Sequence, residues 1–203
     1  MQQPFKKPLS GMRAFTLVET IVVVALVVLV GGALSSMIQY FYRTNDYVLQ
    51  EGNAVQSARQ GLATSVQNLR EASYGDDGSY PISAASASTI TFYADINGDG
   101  NVDKVRYYLS GTTLYRGVTN STGNPPSYTG QPESVTTIAT YVRNGGSTPI
   151  FQYYDNSGAL LSSPVSISSV ASIVTTLQID VDPNRSPALY SLLGSATLRN
   201  LAN

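Results

Sequence analysis

From Ile21 to Ile38 the chain is almost entirely apolar, and the apolar pattern continues after polar residues return. Phe41, Val48, Val55, Leu62 and Leu69 recur every seven residues, with Ile38, Ala58 and Val66 on the same side. Arg43, Asn45, Glu51, Gln60, Gln67 and Arg70 fall mostly elsewhere, and no proline stands between Pro8 and Pro81. Such spacing marks one face of an amphipathic helix. It predicts a single long helix from about Phe15 to Ala72, with residues 15–38 as a transmembrane half and 39–73 as an amphipathic half. About 20 apolar residues span a bilayer. Lys6, Lys7 and Arg13 precede the run and no basic residue interrupts it, so the N-terminus is expected in the cytoplasm and the body outside. A plain single-pass anchor fits the same pattern. So does a secretory signal cut after Val30-Gly31-Gly32-Ala33, which Glu19 and the length of the run oppose. The second half of the helix fits either a coiled-coil stalk or a face packed on a sheet. Gly52 and Ala58 on the stripe suit close contact and favour the sheet. Gly31-Gly32, each glycine costing about 1 kcal/mol relative to alanine, is an expected site of bending, and close packing of neighbouring membrane helices explains the pair equally well.

After Tyr74-Gly75-Asp76-Asp77-Gly78 the period changes from helical to alternating. Thr89–Ile96, Val105–Leu109 and Leu114–Val118 read as strands of an antiparallel meander, the last two joined by Ser110-Gly111-Thr112. Asn120–Pro132 is a loop by composition. Val135–Val142 is open between strand and short helix. Asp155-Asn156-Ser157-Gly158 is a hairpin turn between Ile150–Tyr154 and Ala159–Leu161. Ile173–Val181 and Ser191–Leu201 complete the strands, with Asp182–Pro187 as the turn between them. The fold class expected is α+β: a basic leader over 1–14, the long helix, and an antiparallel β-sheet head over 74–203.

Composition removes most chemistry. The chain has no cysteine and no histidine, which excludes thiolate and imidazole catalysis and zinc sites built from those ligands. Beyond residue 14 the only lysine is Lys104, and no catalytic constellation is visible, so the expectation is that the protein is not an enzyme. The 12 basic and 13 acidic side chains give no reason to expect nucleic acid as a partner. Removal of Lys6, Lys7 and Arg13 would leave nine basic side chains against 13 acidic ones, a formal −4. The 14 tyrosines are expected mostly as half-buried sheet residues.

Phe15-Thr16-Leu17-Val18-Glu19-Thr20 puts one carboxylate near the start of the apolar run. A charge at the centre of a membrane helix costs about 2.5–3.5 kcal/mol, which calls for a partner. With the basic leader and the apolar helix, this hexapeptide resembles the cleavage and methylation signal of type IV prepilins and pseudopilins. The resemblance implies that a membrane-embedded prepilin peptidase cuts between Ala14 and Phe15 and methylates the new amine of Phe15. It further implies that Glu19, fifth in the mature chain, meets the amine of an adjacent subunit during filament assembly. The family usually has glycine before the cut, where this chain has Ala14. Gly11 is nearby, but a cut there would leave Glu19 eighth. More loosely, the strand-loop-strand run and the closing Ala196-Thr197-Leu198-Arg199-Asn200-Leu201 resemble the head of larger minor pseudopilins of type II secretion systems.

Asp95-Ile96-Asn97-Gly98-Asp99-Gly100-Asn101-Val102-Asp103 matches the first nine positions of an EF-hand loop. Alternate oxygens of Asp95, Asn97 and Asp99 can converge on one calcium ion, Gly100 permits the sharp turn, Asn101 offers its carbonyl and Asp103 can bind through water. Arg106 stands where the bidentate glutamate belongs, so the affinity expected is weak, about 10⁻⁴–10⁻³ M. A polar turn rich in Asp, Asn and Gly is the alternative.

The function expected is a structural minor subunit, a minor pilin or pseudopilin, of a type IV pilus or type II secretion-like filament. Its implied partners are prepilin peptidase, other pilins or pseudopilins through the N-terminal helix, an inner-membrane assembly platform and the lipid bilayer. It would sit first in the cytoplasmic membrane and then in an extracellular or periplasmic filament. The alternative is a membrane-tethered or secreted β-domain that binds a surface ligand or polysaccharide and carries a calcium-stabilised loop.

Overall fold

The computed structural model describes residues 15–145, 147–185 and 189–198. The first element, α1, is a helix of 54 residues over Leu17–Arg70. The described residues fall into two compact units that divide between Val48 and Leu49.

In the first unit α1 runs without a break through Gly31-Gly32, where Ser36 Oγ donates to the Gly32 carbonyl at 3.0 Å. Its apolar side chains are exposed, among them Val27 (64%) and Leu29 (69%). The helix is long and apolar enough to cross a membrane. The first members of the seven-residue series, Phe41 and Val48, are also exposed, so the stripe reaches the core only from Val55 onward.

The second unit is α+β, with the Leu49–Arg70 part of α1 packed on two antiparallel sheets. Strands β1 (Ile82–Ala85), β2 (Thr89–Ala94), β3 (Asp103–Ser110), β4 (Thr113–Thr119) and β5 (Ser134–Ala139) form a five-stranded sheet in chain order. Strands β6 (Phe151–Tyr154), β7 (Ser172–Ile179) and β8 (Tyr190–Thr197) form a three-stranded sheet, also in chain order. A short 3₁₀ helix at Ile167–Ser169 precedes β7. The β2–β3–β4 meander and its Gly111 turn at φ 59° match expectation. Val135–Val142 resolves in favour of a strand, β5. The Asp155–Gly158 turn closes, with Asp155 N–H donating to the Ala159 carbonyl at 3.0 Å, but its return arm is only a Tyr154–Leu160 bridge. Strand β1 has no counterpart in the sequence reading, because four residues of Ile-Ser-Ala-Ala carry almost no alternation. The head holds two sheets instead of one. Arg199, Asn200 and Leu201, at the end of the expected closing strand, lie outside the described residues.

One core joins these elements. Ala54, Val55, Ala58, Leu62 and Leu69 from α1 meet Ile90, Phe92, Val105, Tyr107 and Leu114 of the larger sheet and Phe151, Ile173, Leu177 and Ala196 of the smaller. Two glycines set how closely the layers approach. A Cβ at Gly61 would stand 2.7 Å from the Ile138 carbonyl oxygen, and one at Gly194 would stand 2.7 Å from Val66 Cγ2. Gly52, expected to provide such a contact, has nothing within 4 Å of a Cβ position. Polar bonds tie helix to sheet at its far end: Asn68 Nδ2 donates to Tyr107 Oη at 3.0 Å, and Arg70 to the Ser195 carbonyl at 3.1 Å. Glu51, expected on the polar side, is only 4% exposed, and its Oε2 accepts the Val181 N–H at 3.2 Å.

Candidate functional site

At the N-terminal end of the described chain, Phe15 is 72% exposed and Glu19 is exposed in the first turn of α1. Thr16 Oγ1 accepts the Glu19 N–H at 3.2 Å, so Thr16 is the N-cap and Glu19 the third helical residue. Thr16-Leu17-Val18-Glu19 is thus the T-x-x-E pattern of a capping box, a local signal that the sequence reading passed over. The cap satisfies an otherwise orphan backbone donor and fixes where the helix begins. The carboxylate itself is not needed for that bond, since any residue at 19 supplies an N–H. A negative charge in a first turn gains about 0.3–1 kcal/mol from the helix dipole, less than the cost of carrying it to the middle of a bilayer. Ala14, the residue before the expected cut, lies outside the described residues.

The Asp95–Asp103 segment connects β2 to β3. Asp95 accepts the N–H groups of Gly98 and Gly100 at 2.7 and 3.0 Å. Asn97 Oδ1 accepts the Asp99 N–H at 2.9 Å, and Asp99 Oδ1 accepts the Asn101 N–H at 2.8 Å. The Asn101 backbone amide first, and then the side-chain amides of Asn97 and Asn101, which donate to Asp99 at 3.0 and 3.1 Å, hold the Asp99 carboxyl below its usual range. Gly98 and Gly100 take φ of 74° and 87°, which glycine adopts without strain. Among the described residues no group of three acidic side chains already stands together as a metal cluster.

Asp103 differs from its loop neighbours. It pairs with Ala94 across β2–β3, and along β3 it shares a face with buried Val105 and Tyr107. It is 1% exposed, and among the described residues neither carboxylate oxygen has a hydrogen-bond partner. Burial, and then the charges of Asp99, Asp95 and Asp76, push its carboxyl up; the Ile96 N–H opposes this without reaching hydrogen-bond geometry.

Arg106 is three residues further on, and the two-residue period of a strand puts it on the opposite face from Asp103. There it forms a bidentate pair with Glu133, at 2.9 and 2.6 Å, and lies 4.1 Å over the Tyr108 ring. The EF-hand likeness therefore ends at its ninth position, where the chain enters a strand.

A clamp from distant sequence fixes the end of this loop. Asp76 Oδ2 accepts the Val102 N–H at 3.1 Å and the Ser121 hydroxyl at 2.5 Å. Tyr128 Oη donates to the Val102 carbonyl at 2.6 Å and accepts the Asp76 N–H at 3.1 Å. Burial pushes the Tyr128 hydroxyl up to about 12. Neither Asp76 nor Tyr128 carries a local signal linking it to Val102, 26 residues away. On the outer face of the larger sheet, Thr91, Lys104, Arg106, Thr119 and Glu133 line an open groove of about 390 Å³. Two of its three charges, Arg106 and Glu133, are already paired in one bridge. No family model matches this chain, and no curated protein is similar to it.

Proposed function

We propose that this chain is a minor pilin or pseudopilin: a structural subunit held in the cytoplasmic membrane by α1, processed before Phe15, and passed into a helical filament. The observation that carries the reading is Glu19, one carboxylate in the first turn of a helix whose N-terminal stretch is of membrane length and whose apolar side chains there, from Leu17 to Phe41, stay exposed among the described residues. Capping accounts for the Glu19 backbone and leaves its charge without a partner in the chain's own described hydrogen bonds. A neighbouring subunit's N-terminal amine, delivered by cleavage, is a chemically matched partner. Prepilin peptidase, other pilins, the inner-membrane assembly platform and the bilayer follow as partners. The second unit has its own core, which suits a domain displayed outside the membrane.

The test compares wild type with Glu19→Leu and Glu19→Gln in a host whose filament system accepts the wild-type chain. Sheared filaments and membranes are probed for the protein. The leucine variant should stay in the membrane at wild-type level and be lost from filaments, because removing the charge eases insertion and deletes the partner for the amine. Glutamine, which still accepts a hydrogen bond, should retain part of the incorporation. Leucine variant present in filaments at wild-type level would overturn the assembly role of Glu19.

A further inference from the structure

We propose that the Asp95–Asp103 loop is a calcium site in which Asp103 is the inner carboxylate, with Asp95, Asp99 and Asn97 closing over the ion from the exposed side. The inference is independent of the filament reading. Its starting point is a burial that makes no sense for an isolated anion: a carboxylate 1% exposed, both oxygens unpartnered among the described residues, in the neighbourhood of three further carboxylates. Buried charges in proteins are paired or coordinate metals. Among the described residues of β3 no cationic side chain fills the role, because Lys104 and Arg106 both face the other side of the strand and Arg106 is engaged with Glu133.

The donors are all oxygens, at least three are carboxylates, and the site lies in an exposed turn that contains Gly98 and Gly100. That set suits calcium, which takes six to eight oxygens in adaptable geometry, better than magnesium, which demands a tight octahedron and keeps its waters. The Asp95 and Asp99 side chains are turned onto the loop's own amides at 2.7–3.0 Å. Binding must swing them inward, which is feasible because residues 97–101 are exposed. Val102 stays fixed meanwhile, held at its N–H by Asp76 and at its carbonyl by Tyr128. The rearrangement and the missing twelfth-position ligand both put the affinity in the weak extracellular range, Kd about 10⁻⁴–10⁻³ M.

The test uses the full chain in detergent micelles, chelator-treated and then titrated with calcium chloride or magnesium chloride, with thermal unfolding followed by circular dichroism. At a Kd of about 1 mM, 10 mM calcium multiplies the folding constant about tenfold, which raises the Tm by about 3–6 °C for a unit of this size. Magnesium should do less than half as much. Asp103→Asn removes the buried charge without changing shape, so it should melt no lower than wild type in chelator and lose the calcium shift. Asp99→Asn, at an exposed position that the core does not need, should lose at least half of the shift. The proposal is overturned if calcium leaves the wild-type melt on the chelator control, if magnesium matches calcium, or if either variant keeps the full shift.

Discussion

The Thr16 hydroxyl accepts the Glu19 N–H at 3.2 Å, so the residue that caps the helix and the residue proposed to drive assembly are one turn apart and directly bonded. Cleavage before Phe15 would leave this cap intact as the second residue of the mature chain. The capped turn would then present the Glu19 carboxylate from a helix start with a defined position.

Loss of the cap should be local and measurable. Thr16→Ala removes the acceptor for the Glu19 N–H, at a cost of about 0.5–2 kcal/mol. Amide hydrogen exchange of the micelle-bound protein should show Glu19 exchanging about 2- to 30-fold faster, while amides beyond the second turn stay unchanged and Thr16→Ser stays near wild type. An unchanged Glu19 rate in the alanine variant would mean that the bond does not hold the first turn.

Two helical glycines should respond in opposite directions to the same substitution. Gly61→Ala drives a Cβ against Ile138, whose carbonyl oxygen would be 2.7 Å away and whose Cγ2 would be closer still. Overpacking of this kind costs about 1–3 kcal/mol. Trimming Ile138 to alanine should relieve only part of the loss, because the backbone oxygen remains. Gly52→Ala meets nothing within 4 Å and should stabilise by about 0.4–1 kcal/mol. Chemical denaturation of Gly61→Ala, of its double variant with Ile138→Ala and of Gly52→Ala settles both signs.

Alkaline pH should loosen the clamp on Val102. The Tyr128 hydroxyl is pushed up to about 12 by burial first, and in the unfolded chain it titrates near 10. The folded state therefore holds the proton more tightly, and stability that is fully present below pH 10 falls as pH rises toward 12. Buried Tyr107 and Tyr153 are pushed up in the same direction and add to the slope. Tyr128→Phe should melt lower than wild type at pH 8, having lost the 2.6 Å bond to the Val102 carbonyl, and should lose less on going from pH 9.5 to 11.5. Parallel pH curves for the two proteins would remove Tyr128 from this role.

The Arg106 position separates motif from structure. Arg106→Glu installs the residue an EF-hand pattern asks for, but on the sheet face opposite Asp103 and beside Glu133. It should leave the calcium response of the melting curve unchanged while lowering stability by about 1 kcal/mol or less, the usual scale of an exposed ion pair and of its like-charge replacement. A stronger calcium shift in this variant would mean that the strand register around Arg106 is wrong.

Long-range elements were legible where the pattern was long. The helix, the β2–β3–β4 meander and the Asp155 turn follow from periodicity and turn chemistry that a local window contains. What escaped depends on partners far along the chain. Glu51 reads as a solvent-facing charge until Val181, 130 residues on, donates its N–H to it. Gly61 carries no signal of its own in the helical pattern, and the need for a glycine there comes only from Ile138, which crosses it. Asp103 reads as a water-mediated ligand of an open loop, and its burial follows only from the start of β3 beside Ala94. The capping box at Thr16–Glu19 was local and readable, but the same residues carried a second pattern.

The central claim is most directly tested by mass spectrometry of the N-terminal peptide of the protein purified from membranes that contain an active prepilin peptidase. The account predicts a mature chain that begins at Phe15 and carries one methyl group on its amine, with residues 1–14 absent. A mature chain beginning at Leu34, after the Gly31-Gly32-Ala33 stretch, would contradict it and mark α1 as a conventional secretory signal; an unprocessed chain retaining Ala14 would reduce α1 to a plain membrane anchor.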